Sequence, residues 1–199
     1  SDTALDVARI RHLKANEAEG ETIFYDLNRS WLPAEAIAVM NQVQGLDVFF
    51  EQPCETYDEC LHVRRQTSHP ISLDEGLKAF SDLLRMQRDG AAEIAHIKIG
   101  RVGGLTKAKL MRDFCLATGV KVLIMETGGS VMADTAAAHL IQATPERSRI
   151  ATWDCAAMLS VVSAEGAVGE NGRISAPAAP GLGATPIMEV LGDPVAVYE

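Results

Sequence analysis

Basic residues are the minority charge of this 199-residue sequence: 18 Lys and Arg stand against 27 Asp and Glu, giving a formal charge of −9 and a pI near 5.0. That balance argues against a nucleic-acid partner, because phosphate recognition relies on a basic surface. Long hydrophobic runs are missing too. Although 47% of residues are hydrophobic, no uninterrupted run approaches the roughly 20 residues needed to cross a bilayer, so no membrane span is expected. The opening residues, SDTALDVARIRHLK, hold no apolar signal region. Cysteine is scarce, and Cys54, Cys60, Cys115 and Cys155 include no CxxC pair. They read as reduced packing thiols, which makes the cytoplasm the expected compartment. Low-complexity segments are also lacking, and the apolar content excludes disorder. A chain of this length can bury about 70% of its extended surface, enough for one sizeable core.

What the sequence does contain is a repeated phrase. Residues 2–18 carry apolar positions at helical spacing (Leu5, Val7, Ile10, Leu13), Gly20 breaks the pattern, and ETIFYDLN reads as a strand. Pro33 then opens a helix striped by Ile37, Met40 and Val43, Gly45 closes it, and LDVFFEQP is the next strand. Helical stretches at about 56–67 and 77–89 lead to HPISLDE and AEIAHIKIG, and LTKAKLMRDFCLATG leads to VKVLIMETGG. SVMADTAAAHLIQA is the last clear helix and RIATWDC the last clear strand. Six strands alternating with helices predict parallel pairing, hence an α/β fold.

Residues with chemistry fall at the carboxyl ends of these strands: Asp26, Glu51, Asp74, Lys98, Glu126 and the Trp153-Asp154 pair. Successive spacings to Trp153 are 25, 23, 24, 28 and 27 residues, the period of one strand-helix unit. Such regularity favours a (β/α) barrel of the TIM type over a doubly wound sheet, because a barrel gathers all its strand ends around one mouth. Six units are legible where a closed barrel has eight in about 250 residues, so the sequence reads as an incomplete portion, about strands 3–8. Residues 1–157 supply the strand-helix units. Residues 158–199, rich in Gly and Pro, read as a closing tail of the same domain.

Asp26, Glu51 and Asp74 each end an apolar strand, and neighbouring strands would bring three carboxylates into one pocket, where like charges repel. A cation is therefore expected. All-oxygen ligands favour a hard ion, Mg²⁺ with Mn²⁺ as a possible substitute, over Zn²⁺. Taken singly, each acid could equally be a solvated loop residue or a helix cap. Lys98 ends the strand IAHIKIG; beside a divalent cation its ammonium form would be disfavoured, making it a candidate general base, with an ion pair to a carboxylate such as Asp74 as the plainer reading. His96, two residues earlier, reads as a core histidine. Gly103-Gly104 and Gly128-Gly129 match no nucleotide-binding motif. Trp153 reads either as core or as a pocket wall facing a cationic group.

Together, YDLNRSW around Asp26, FFEQP around Glu51, ISLDE around Asp74, IKIGRVGGLTKA around Lys98, METGGS around Glu126 and APGLGATP near the C-terminus resemble the enolase superfamily, in its muconate lactonizing enzyme subgroup. The resemblance implies that Asp26, Glu51 and Asp74 hold Mg²⁺ and that Lys98 is one of two acid/base lysines. It also implies a capping domain and two earlier barrel strands, the second bearing the other lysine, that this sequence does not contain. On that reading the 199-residue chain alone is expected to aggregate or to turn over poorly. TWDC and METGGSVMADTAAAHL look like enzymes acting on hydroxyproline and its betaines. Glu126, Thr127, Trp153 and Asp154 are then expected to contact a small proline-like carboxylate. The leading expectation is dehydration of cis-3-hydroxy-L-proline after removal of the proton α to its carboxylate. Epimerisation or racemisation of hydroxyproline betaine or an amino acid is the alternative, and a non-catalytic portion of such an enzyme is the alternative of another class. Neither nucleic acid nor membrane is expected as a partner; the complete protein is expected to be a homo-oligomer.

Overall fold

The computed structural model describes residues 2–197. The chain divides into two compact units, Ser1–Ala95 and His96–Glu199, and the division falls inside a strand. Each unit is built from the βα phrase that the sequence repeats.

In the first unit, α1 (Thr3–Ala15) starts where the Asp2 carboxylate accepts a hydrogen bond from the Leu5 backbone N–H at 3.1 Å, and it buries Val7 and Ile10. Strand β1 (Ile23–Asp26) follows, then α2 (Pro33–Gln42), whose proline occupies the first turn as expected. After β2 (Val48–Glu51) comes α3 (Tyr57–Arg64), fixed by reciprocal bonds between Thr56 and Glu59. Strand β3 (Ile71–Leu73) and α4 (Phe80–Asp89) complete the series, and Gly90 stops α4 in the left-handed region at φ +60°. The strands pair in parallel: Ile23–Asp26 against Val48–Glu51, then Phe50 and Glu51 against Ile71 and Ser72. Phe50, fully buried, anchors the core, with the rings of His69, Trp31 and Tyr25 at centroid distances of 5.1, 6.1 and 6.2 Å. Strand β4 (Ile94–Lys98) pairs with β3 through Ser72↔Ile94 and Leu73↔Ala95.

Beyond β4, the second unit opens with a short helix that the sequence pattern does not announce, α5 (Ile99–Val102), and continues into α6 (Leu105–Thr118). Strand β5 (Lys121–Met125) leads to α7 (Val131–Gln142), capped by the Ser130 hydroxyl. Strands β1 to β4 pair in parallel in sequence order, the α/β arrangement of an incomplete portion of a TIM-type barrel.

The sixth strand expected in RIATWDC is reduced to a bridge. Arg149 lies parallel to Val122, the Ile150 N–H donates to the Val122 carbonyl at 2.8 Å, and the Ile124 N–H donates to the Ala151 carbonyl at 3.3 Å. Beyond Ala151 local bonds win. The Asp154 carboxylate accepts from the N–H groups of Ala157 and Gly169 at 3.1 and 2.9 Å, and the Cys155 thiol donates to the Glu126 carbonyl at 3.1 Å. The backbone is thereby drawn into a 3₁₀ turn at Ala156–Met158 instead of an extended ladder.

The Gly- and Pro-rich remainder forms two small antiparallel pairs, β6 (Ala164–Glu165) with β9 (Thr185–Pro186) and β7 (Gly169–Glu170) with β8 (Arg173–Ile174), before α8 (Met188–Leu191). Side chains of α7 fasten it: the Thr135 hydroxyl accepts from the Ala167 N–H at 2.8 Å, and His139 Nε2 lies 2.9 Å from the Leu182 carbonyl. Among the described residues, no helix is long and apolar enough to cross a membrane.

Candidate functional site

The ends of β1, β2 and β3 bring the three sequence-predicted acids of the first unit together. Asp26 and Glu51 are register partners, and Glu51 pairs with Ser72, two residues short of Asp74. The ladder continues past the strands, since the Leu27 N–H donates to the Glu51 carbonyl at 3.1 Å and the Gln52 N–H to the Ser72 carbonyl at 2.9 Å. Glu51 and Asp74 are buried, at 5% and 3% exposure, and a carboxylate oxygen of one lies within 4.8 Å of one of the other. Asp26 is exposed as a residue, and its carboxylate accepts from Asn28 N and Nδ2 at 2.9 and 2.8 Å. Burial around that carboxyl pushes its pKa above the usual aspartate range, the bonds from Asn28 oppose the shift, and the charges of Glu51 and Asp74 add to it.

Glu51 and Asp74, with oxygens within 4.8 Å of one another, and Asp26 on the adjoining strand are acids of the type that could hold a hard divalent cation. Mg²⁺ fits them: the oxygens are anionic, two of the acids are buried, and their repulsion is of the kind that a bound cation relieves.

A buried residue that the sequence pattern did not single out sits among these acids. Gln52, fully buried and with φ +36°, turns its amide toward β3, where Oε1 accepts from the N–H groups of Asp74 and Gly76 at 3.0 and 3.1 Å. Its signal was the polar residue between FFE and Pro53, where the apolar strand ends.

In the second unit, Lys98 is buried at the last position of β4, and His96 is buried two residues before it. Glu126 follows β5 and accepts through Oε1 from the Gly100 N–H at 2.5 Å. A Cβ on Gly100 would lie 3.0 Å from Glu126 Oε2, tighter than ordinary contact. Thr127 is exposed in the loop before α7. Trp153 is 53% exposed at a cavity of about 440 Å³ that it shares with Thr152, Asp154 and Arg173. The Asp154 carboxylate also lines this cavity while holding the Ala157 and Gly169 N–H groups. Asp134 on α7 is fully buried; its Oδ2 accepts from the Ala156 N–H at 2.6 Å.

Parallel βα units with acids at successive strand ends are the pattern of a TIM-type barrel, and the chain belongs to the enolase C-terminal domain-like family, matched over residues 1–190. It is 41% identical over 194 residues to cis-3-hydroxy-L-proline dehydratase of Roseibium aggregatum, covering 97% of this chain and 53% of that protein. A solved structure of an enolase superfamily member from Roseovarius nubinhibens ISM, complexed with magnesium, superimposes with a TM-score of 0.95 at 45% identity, over 100% of this chain and 55% of that one. The chain is also 30% identical over 200 residues to an N-succinylamino acid racemase of an Amycolatopsis species, covering 94% of this chain and 52% of that protein. The chain thus spans about half the length of the curated relatives it matches.

Proposed function

We propose that this chain forms part of a Mg²⁺-dependent enzyme that removes the proton α to a carboxylate, with dehydration of cis-3-hydroxy-L-proline as its reaction. The observation that carries the reading is the group of three carboxylates, Asp26, Glu51 and Asp74, at the ends of adjacent parallel strands, in a chain 41% identical to a cis-3-hydroxy-L-proline dehydratase. These acids hold the cation, for which Mn²⁺ is the substitute. Once bound, Mg²⁺ supplies positive charge that stabilises the negative charge developing on the substrate carboxylate.

Lys98 is the base: its unprotonated amine takes the α-proton, and a positioned base of this kind contributes about 10²–10⁴-fold. The position of Lys98, buried at the last residue of β4, supports the role, because it sets the amine at a strand end. In dehydration the electron pair left by the α-proton moves to form the C2–C3 double bond as the β-hydroxyl departs with a proton as water. Trp153 presents an exposed ring to the cationic substrate nitrogen, an interaction of about 0.5–2 kcal/mol. Glu126, Thr127 and Asp154 complete the substrate-binding set, with Glu126 and Asp154 held by the backbone N–H groups they accept from. Residues 158–199 serve as the closing tail of the same domain as residues 1–157. The complete protein works in the cytoplasm on a small carboxylate as a homo-oligomer, with neither nucleic acid nor membrane as partner, a reading supported by its negative charge and its four free thiols.

A second reading, epimerisation or racemisation at the same α-carbon, is favoured by the 30% identity to an N-succinylamino acid racemase. Incubating the complete protein with Mg²⁺ and cis-3-hydroxy-L-proline in deuterium oxide separates the two. Loss of substrate with formation of an unsaturated product supports dehydration, whereas α-deuteration with the hydroxyl retained supports epimerisation; neither change would exclude both. Calorimetry on Glu51→Gln, which removes one ligand charge at constant shape, is expected to show Mg²⁺ affinity at least about tenfold weaker. Unchanged affinity would overturn the ligand assignment.

A further inference from the structure

We infer that Gln52 is a positioning residue for the metal centre, a buried amide that fixes the end of β3 to the end of β2 and so sets the separation of the Glu51 and Asp74 carboxylates. The inference rests on the proposed metal-binding role of those two acids.

Gln52 directly follows Glu51, and its backbone already joins both neighbouring strands. Its N–H donates to the Ser72 carbonyl and its carbonyl accepts from the Arg29 N–H, each at 2.9 Å. The side chain adds a second layer. Oε1 uses its two lone-pair directions on two consecutive-turn donors, the N–H of Asp74 at 3.0 Å and that of Gly76 at 3.1 Å. Nε2 donates to the Cys54 carbonyl at 3.1 Å and to the Cys60 thiol at 3.4 Å, and that thiol in turn donates to the Cys54 carbonyl at 3.4 Å. The amide orientation is thus settled at both ends, because a reversed amide would set its N–H₂ against two N–H donors and its oxygen against a carbonyl.

Two further features show that this bracket is built for precision. Gln52 holds φ at +36°, a left-handed conformation that a residue with a Cβ keeps only where its surroundings impose it. Gly76 is matched to the amide: a Cβ on it would lie 3.3 Å from Gln52 Oε1, tighter than ordinary contact, so a side chain there would press on the bracket. Gln52, Cys54 and Cys60 are fully buried, which shuts water out of the Nε2 end, and at the Oε1 end the bond from Asp74 is buried and that from Gly76 partly so. An amide that holds the backbone N–H of Asp74, directly after Glu51 in the chain, couples the two carboxylates more tightly than the strand ladder alone, which pairs Glu51 with Ser72.

Gln52→Met in the complete protein keeps side-chain length and apolar volume but removes both polar ends. Calorimetric titration with Mg²⁺, and Mn²⁺ titration followed by electron paramagnetic resonance, should show affinity weakened at least about tenfold, within the range that outer-shell partners of metal ligands command. Gln52→Glu keeps an oxygen acceptor for the Asp74 and Gly76 N–H groups and should recover most of that loss. Cys60→Ala, which removes only the 3.4 Å thiol partner, should bind within about threefold of the native protein. Native affinity for both ions in a folded Gln52→Met would overturn the inference. Should that variant fail to fold, Gln52→Asn, which withdraws the amide by one methylene, takes its place, and native affinity there overturns it equally. Glu51→Gln is measured alongside: if its affinity is unchanged, the metal-centre reading has failed and the inference falls with it, whereas weak binding in Glu51→Gln beside native binding in the Gln52 variants rejects the bracket alone.

Discussion

Carboxylates at strand ends do opposite work in the two units. In Ser1–Ala95, Asp26, Glu51 and Asp74 are brought toward one another, and burial and repulsion raise the Asp26 pKa. In His96–Glu199, Glu126 and Asp154, which follow strand segments, and Asp134 on α7 are given to backbone donors: Glu126 to Gly100, Asp154 to Ala157 and Gly169, Asp134 to Ala156. The first arrangement concentrates negative charge that a cation can neutralise. The second converts each charge into a charge-assisted hydrogen bond that fixes a loop. Carboxylates thus gather in one unit, where a ligand set is proposed, and hold loops in the other.

The largest effect expected from this contrast is at Lys98, where neither description applies. Lys98→Ala in the complete protein should lower turnover by about 10²–10⁴-fold while Mg²⁺ affinity stays within about threefold, because the proposed mechanism uses the amine in the transition state and not as a ligand. Steady-state kinetics beside calorimetry checks both halves. Wild-type turnover would remove Lys98 from the mechanism.

Much of this contrast was legible in the amino-acid order. The period of 23 to 28 residues between strand-end residues places Asp26, Glu51, Asp74 and Lys98 at the ends of β1 to β4, because apolar strand and amphipathic helix patterns are local properties of the chain. TWDC did not extend as a strand because side chains decided the matter. Asp154 and Cys155 offer bonds to Ala157, Gly169 and Glu126, partners up to 29 residues away that no local pattern encodes. The role of Gln52 is hidden in the sequence for the same reason. Its amide matters through Asp74 and Gly76 just past the end of β3, and a lone Gln after an apolar run says nothing of which donors it will meet.

A smaller effect, and of the opposite kind, is expected at Asp154. Asp154→Ala strips the acceptors from two backbone N–H groups, so denaturant unfolding of the complete protein should show a loss of about 1–3 kcal/mol. Gly169 marks how closely this clamp is fitted, since a Cβ on it would overlap Asp154 Oδ2. Magnesium affinity should not move. A variant with native stability and weakened Mg²⁺ binding would break the division between ligand acids and clamp acids.

The finest distinction is carried by Asp134, an acid that both clamps and suffers for its charge. Burial raises its pKa above the usual aspartate value, the bond from the Ala156 N–H opposes that, and the charges of Asp154 and Glu126 add to the rise. Oδ1 is buried with no hydrogen-bond partner among the described residues. A carboxyl whose folded pKa lies above its unfolded value favours the native state most when protonated. Its contribution is therefore full below about pH 3.9, the unfolded reference, declines as pH rises toward the folded value, and is constant above it. Asp134→Asn keeps an oxygen acceptor for the Ala156 N–H and removes the charge. The difference in unfolding free energy between Asp134→Asn and the native protein should therefore shift in favour of the variant as pH climbs from about 3.9 through the folded pKa, then level off. Denaturant unfolding at a series of pH values measures that difference directly. A difference that stays flat across the series would mean that the Ala156 N–H fully offsets the burial, and Asp134 would then join Asp154 as a clamp that costs nothing to charge.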